Sequence, residues 1–367
     1  MPDLKTNVNT TRYLHLDFLK FIAMFFVVVY HSTIYQYDII NDAGVISYAS
    51  YLFRTLLSAC VPLFFFTNGY LLLSKKFDLR KHIFKTVRLV VLTVLWGAIN
   101  LLCMIVIRGE YMTVGEFVNA IVHWKQDWIN FLWYMGTLVC IYIFFPLLKL
   151  AFDNSKKIFV YFTSVCALMT FGNTFLSQMV SVGLGVLSGH TRSFDMINFF
   201  NIFTPFNGFY AYSIVYFCLG GMVKSSEDKI MAVPSAKRNV ICSFGILASC
   251  VCLWAMGIFF SKGSGEVWDV VWHGYDSVFT LINVILLFVL SKNYTSQNRF
   301  IKTVSQNTLG IYFIHSIFIT ASINLVMKYL VLQNVWFNLV YALAVLIISL
   351  LVTVVIKKIP IVNNLVK

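Results

Sequence analysis

Ten separate stretches of this chain are apolar for long enough to cross a hydrocarbon layer, and that constrains the fold before any motif is read. They run approximately over 16–35, 52–74, 84–107, 131–151, 158–176, 205–223, 240–260, 276–291, 308–327 and 336–356. Inside a bilayer, backbone N–H and C=O groups must be satisfied within the protein, so such segments fold as helices. The expectation is an all-α integral membrane protein, a bundle of about ten transmembrane helices forming one polytopic domain over residues 1–367. Composition agrees: 59% of residues are hydrophobic and 12% are charged, too little polar surface for a soluble domain. The first segment follows a polar arm with Lys5 and Arg12, carries charges itself and lacks a small-residue cleavage site. It reads as a retained span rather than a leader.

The placement of Lys and Arg predicts the orientation. All but six of the 28 basic residues fall on one side of the expected topology. Arg54, Arg108, Lys125, Arg192, Lys262 and Lys328 fall on the other. Both termini are therefore expected in the cytoplasm. The net charge of +13 is mostly this topology signal, so no nucleic-acid partner is expected. All eight cysteines lie in or beside apolar segments, without spacing that suggests a metal site or a disulfide in an external loop.

Residues 14–35, LHLDFLKFIAMFFVVVYHSTIY, contain Asp17, Lys20 and His31. At about 100° per residue the three share one helical face, with Lys20 and His31 about 16 Å apart along the axis. Ionisable groups at membrane depth usually face a bundle interior or a wet cavity. His31 reads either as a general base able to take a hydroxyl proton or as an interfacial histidine. Lys20 reads as a partner for Asp17, a phosphate ligand, or a snorkelling lysine. For Asp17 the expected partners are Lys20, Arg12 or an arginine of a neighbouring helix.

Further along, Arg80, Lys81, Lys85 and Arg88 cluster at the start of the third span. They suit a nucleotide phosphate, but anchoring to anionic lipid explains them as well. In VPLFFFTNGYLLL, Asn68 can bridge helices or orient an imidazole, and Gly69 permits close helix approach. Trp133 and Tyr134 stand where an aromatic belt is expected. His315, one turn after Tyr312, reads as a second functional imidazole or a satisfied core histidine. The HTRSFD run with His190, Arg192 and Asp195 reads as a loop able to fold over a site, or simply as a solvated loop. The Trp268, Asp269, Trp272, His273, Asp276 run reads the same way.

The ordered set of motifs resembles the acyltransferase-3 family of integral membrane O-acyltransferases. A basic residue, ten intervening residues and a histidine, Lys20 to His31 after Asp17, resemble its first-span signature. The family more often has Arg where this chain has Lys20. VPLFFFTNGYLL resembles its Phe-rich segment ending in Ser-Gly-Tyr, with Asn68 in place of Ser. The Lys85 and Arg88 pair resembles its basic third-helix motif, which is usually richer in Arg and followed by a Pro absent here. FLWYMGTLVCIYIFFPLL, YFCLGG and LGIYFIH look like later family segments.

The resemblance covers essentially the whole chain. It implies a cytoplasmic acyl-CoA donor, acetyl-CoA by default, and a carbohydrate hydroxyl of the cell envelope as acceptor, at a bacterial plasma membrane. It also implies His31 as the key catalytic residue. On this reading Asp17 and Lys20 are catalytic residues with His31, and their shared face lines a passage. Arg80, Lys85 and Arg88 hold the donor, and Asn68, Trp133, Tyr134 and His315 line the acceptor site. The competing readings are a transporter or flippase for a lipid-linked sugar, and an inactive acyltransferase-like membrane sensor.

Overall fold

The computed structural model describes residues 12–123, 127–189, 210–329, 334–360 and 362–366. Lys5, Lys125, Lys367 and the His190, Arg192, Asp195 run lie outside the described residues. In chain order the helices are α1 (Leu14–Ser32), α2 (Val45–Leu57), α3 (Cys60–Leu73), α4 (Leu79–Arg108), α5 (Val114–His123), α6 (Trp133–Asn154) and α7 (Lys156–Ala167). They continue with α8 (Asn173–Ser188), α9 (Tyr212–Ser225), α10 (Glu227–Met231), α11 (Ser235–Ser264), α12 (Val278–Ser291), α13 (Arg299–Tyr329) and α14 (Val335–Lys358). Among the described residues there is no strand.

Among the described residues eight stretches are long and apolar enough to cross a membrane, making this a multi-pass membrane protein. They are α1, Val45–Leu73 (α2 with α3), α4, Ile129–Asn154 (mostly α6), Lys156–Ser188 (α7 with α8), α11, α13 and α14. Of the other two expected spans, 276–291 corresponds to α12, of 14 residues, and 205–223 overlaps α9, also of 14 residues, with 205–209 outside the described residues. At about 1.5 Å per residue α12 is roughly 21 Å long, short of a hydrocarbon core about 30 Å thick. Most of α9 is buried inside the bundle, so neighbouring helices rather than lipid surround it.

Close backbone contact holds α9 in place. A Cβ on Gly69 of α3 would sit 1.7 Å from the Phe217 carbonyl oxygen of α9, and one on Gly220 would sit 2.1 Å from that of Phe66. Small residues let the two backbones meet where the hydrophobic effect cannot drive helices together. Gly69→Ala must push α3 and α9 apart. We expect it to cut the yield of folded, detergent-extracted protein severalfold, a loss that size-exclusion chromatography would register.

α1 runs through the centre, packed against α13, α3 and α14. Its end is clamped by Asn338 of α14, which is fully buried. The Asn338 amide donates to the Val29 carbonyl (3.1 Å), and its oxygen accepts from the Ile34 N–H (3.1 Å) and the Ser32 hydroxyl (3.0 Å). One side chain thus satisfies backbone groups that a helix C-terminus leaves open, which fixes the turn bearing His31. A second device acts in α6. Pro146 has no N–H to offer the Tyr142 carbonyl, and His82 Nε2 of α4 donates to that oxygen at 2.7 Å instead. This joins α4 to α6 near the basic end of the bundle.

The end of the bundle opposite His31 is basic. There Arg12 donates to Asp17 (Nη2 to Oδ1, 2.9 Å), and Ser305 of α13 donates to the same carboxylate at 2.7 Å. Nearby, Glu227 accepts from Lys224 (3.0 Å), Lys292 (2.5 Å) and the Tyr70 hydroxyl (2.5 Å). Burial raises the Glu227 pKa, but these three donors outweigh it and bring the carboxyl down to about 2.

Candidate active site

His31 stands at the end of α1 and lines a cavity of about 890 Å³. Its ring is exposed to that cavity although protein surrounds it. The cavity is walled by α1, α4, the start of α6, α13 and the 265–277 connection. Its size suits a small ligand.

His315 of α13 is fully buried, and its Nε2 lies 3.2 Å from His31 Nδ1. The partners of the two rings decide the tautomers. His315 Nδ1 faces the Tyr312 carbonyl oxygen at 2.6 Å, and a carbonyl only accepts. His315 Nδ1 therefore carries the proton, and its Nε2 is an acceptor in the neutral ring. His31 Nδ1 must then donate to it, and the His31 ring also bonds the Val27 backbone carbonyl one turn earlier. The lone pair of His31 is left on Nε2, on a ring that lines the cavity. His315 is thus a satisfied core histidine that also touches His31.

A second network supports the same corner. Tyr30, next to His31 with ring centroids 5.2 Å apart, donates its hydroxyl to Asp269 at 2.7 Å. Arg54 of α2, 2% exposed, pairs with Asp269 at 3.2 Å and stacks over Tyr37 at 4.0 Å. Burial pushes the Asp269 carboxyl up, but Arg54 first, then the Tyr30 hydroxyl and the Val271 and Trp272 amides, hold it below its ordinary value. Through those amides Asp269 shapes the turn that carries Trp272 into the cavity wall. Arg54→Ala should destabilise the protein by roughly 2–3 kcal/mol, below the 3–5 of a fully buried broken pair, because Asp269 keeps some solvent contact. In thermal unfolding, Arg54→Ala with Asp269→Ala should recover part of that loss; an additive double variant would contradict the pairing.

Trp133 and Tyr134 both line the cavity. Trp133 meets Tyr210 (4.7 Å), Trp272 (5.2 Å) and Tyr275 (5.8 Å), forming an aromatic wall. Asn68 does not line it; its amide interacts with the Tyr134 hydroxyl from behind. Tyr312 lines the cavity and donates to the Phe131 carbonyl.

The other expected residues lie at the basic end. Asp17 and Lys20 are about 21 Å and 16 Å from His31 along α1, too far for direct contact. Arg12 and Ser305, rather than Lys20, hold the Asp17 carboxylate. Lys20 is half-buried, with Asp17, Lys75, Arg12 and Lys85 as its charged surroundings. Lys85 is exposed and lies over the Tyr142 ring at 5.3 Å. Arg88 donates to the Asn364 carbonyl at 3.1 Å, and Arg80 is exposed. The structure therefore separates the expected residues between the histidine cavity and the basic end of the bundle.

His31, with His315 behind it, lines a cavity inside a multi-pass helical membrane bundle. The family comparison is specific: the acyltransferase domain model of the acyltransferase-3 family matches residues 13–358, and the chain belongs to that family. No curated protein and no solved structure matches the chain significantly.

Proposed function

We propose that this acyltransferase moves an acyl group, acetyl by default, from cytoplasmic acyl-CoA to a hydroxyl of a cell-envelope carbohydrate. The observation that carries this reading is the His31–His315 pair, whose tautomers leave His31 Nε2 as a base on a cavity wall. His31 Nε2 takes the acceptor hydroxyl proton as that oxygen attacks the thioester carbonyl. The tetrahedral intermediate then collapses, the C–S bond breaks, and the departing thiolate takes the proton from His31 as CoA thiol. Tyr134, whose hydroxyl has Asn68 behind it, supplies a polar group for the developing oxyanion. The aromatic wall of Trp133, Tyr210 and Trp272 suits the apolar face of a sugar ring.

Donor phosphates sit at the basic mouth, where Lys20, Lys75 and Lys85 share one electrostatic field and Arg80 and Arg88 lie nearby. On this assignment the basic end is cytoplasmic and His31 lies toward the outer face, at a bacterial plasma membrane. Lys85→Ala with Arg88→Ala should raise the apparent KM for acetyl-CoA about tenfold per lost contact while changing kcat little. An unchanged KM would return both residues to lipid anchoring.

The direct test is the acyl content of surface glycans, by mass spectrometry, from cells carrying the wild-type protein, a deletion or His31→Ala. Loss of one acetyl-sized increment in both mutants, with normal glycan abundance, supports the reading and identifies the acceptor. Unchanged acylation with lost or truncated glycan would favour transport instead.

A further inference from the structure

Among the described residues the cavity reaches the outer faces of α4 and α6. On α6 the lipid-facing stripe runs through Ile143, Leu147 and Leu150, all exposed, and Gly136 lies on it two turns before Ile143. Gly136 is exposed, a Cβ there would meet nothing within 4 Å, and it also lines the cavity. On α4 the outward stripe passes through Val87, Val91 and Val94. Val94 and its neighbour Val90 are exposed and line the same cavity. Residues that face lipid thus double as cavity wall on both helices. Below this level α4 and α6 close on each other where His82 bonds the Tyr142 carbonyl and Lys85 lies over the Tyr142 ring. Above it, Arg108 at the end of α4 lines the cavity, its guanidinium 3.9 Å from Glu110 in an exposed, weak pair.

We infer that α4 and α6 frame a lateral window for the hydrocarbon chain of the acceptor, and that the acceptor is a lipid-linked phosphosugar. The inference rests on the proposed reaction for the role of His31. The aliphatic edges suit an isoprenoid or alkyl chain lying in the outer leaflet. Arg108, at the level of the lipid headgroups, suits the phosphate. The sugar then lies between the aromatic wall and His31. An amphiphile of this kind reaches the site from the bilayer, whereas the donor reaches it from the opposite, basic end.

The probe is a farnesyl-length monoalkyl phosphate with a mid-chain diazirine, photolysed with the full-length protein in nanodiscs. Crosslinks should concentrate on peptides containing Val90 and Val94 and on those containing Gly136 and Val139, and unlabelled farnesyl phosphate should compete for them. Gly136→Leu should abolish this labelling, and Arg108→Gln should weaken it about tenfold, the scale of one lost charge-assisted contact. Labelling spread evenly over lipid-facing stripes and resistant to competition would overturn the window. Competed labelling of the same peptides by a diazirine fatty acyl-CoA, and not by the phosphate probe, would assign it to the donor chain and overturn the acceptor inference. Labelling needs no turnover. Specific labelling of a protein that transfers no acyl group would sink the proposed reaction and keep the window; transfer without specific labelling would sink the window alone.

Discussion

His31→Ala is expected to reduce acyl transfer to background while the protein still inserts and accumulates. A positioned general base contributes roughly 10²–10⁴-fold, and here the same ring also returns the proton to the leaving thiolate. Truncation at this site leaves the packed core intact, because the ring is exposed to a cavity. It does leave His315 Nε2 without its donor, at a cost of about 1–3 kcal/mol if nothing replaces it. Water in the enlarged cavity can take that place, so thermal unfolding should shift little. Rapid-quench measurement with labelled acetyl-CoA and no acceptor separates two roles for the ring. A general base leaves the protein unlabelled, whereas a nucleophilic histidine would carry the acetyl group. Near-wild-type transfer by His31→Ala would remove the central claim.

Much of the fold was legible in the sequence because apolar length dictates helices in lipid. The short helices α9 and α12 show where that rule weakens. α9 lies among other helices, and its sequence is as apolar as a true span, so hydropathy alone cannot separate an inner 14-residue helix from one that must match the bilayer. Gly69 gave a usable signal, since a small residue in an aromatic run implies close helix approach, and the Phe217 carbonyl supplies it.

The site was only partly legible. Helical periodicity placed Asp17, Lys20 and His31 on one face, but a shared face is not a shared location, and the axial rise splits them between two ends of α1. His31 and His315 are separated by 284 positions in sequence, so no local pattern could pair them. Arg54 counted only as an external charge. A buried guanidinium in an apolar helix was a signal that a carboxylate must lie nearby, and Asp269 in the flagged tryptophan-rich connection proved to be that partner. Asn338 gave no warning, because an amide in a long apolar helix has many possible partners and only the folded end of α1 selects among them.

The pairing of His315 with His31 leads to the second large effect. His315→Ala should lower kcat roughly 10²-fold while leaving the acceptor KM nearly unchanged, because His315 touches His31 and does not line the cavity. Two losses add up in that figure. His31 loses one of its two acceptors, the Val27 carbonyl remaining, and its cationic form in the transition state loses a charge-assisted hydrogen bond. His315 is fully buried, so truncation also leaves a hole in α13, and stability alone could lower activity. His315→Gln separates the two effects. A carboxamide oxygen can accept from His31 Nδ1, so this variant should recover part of kcat even where its thermal stability matches that of His315→Ala. The combined His31→Ala, His315→Ala variant should be no slower than His31→Ala alone, since His315 acts only through His31. A His315→Ala enzyme with kcat within about twofold of wild type would show that the second histidine is packing and that His31 is oriented by other groups.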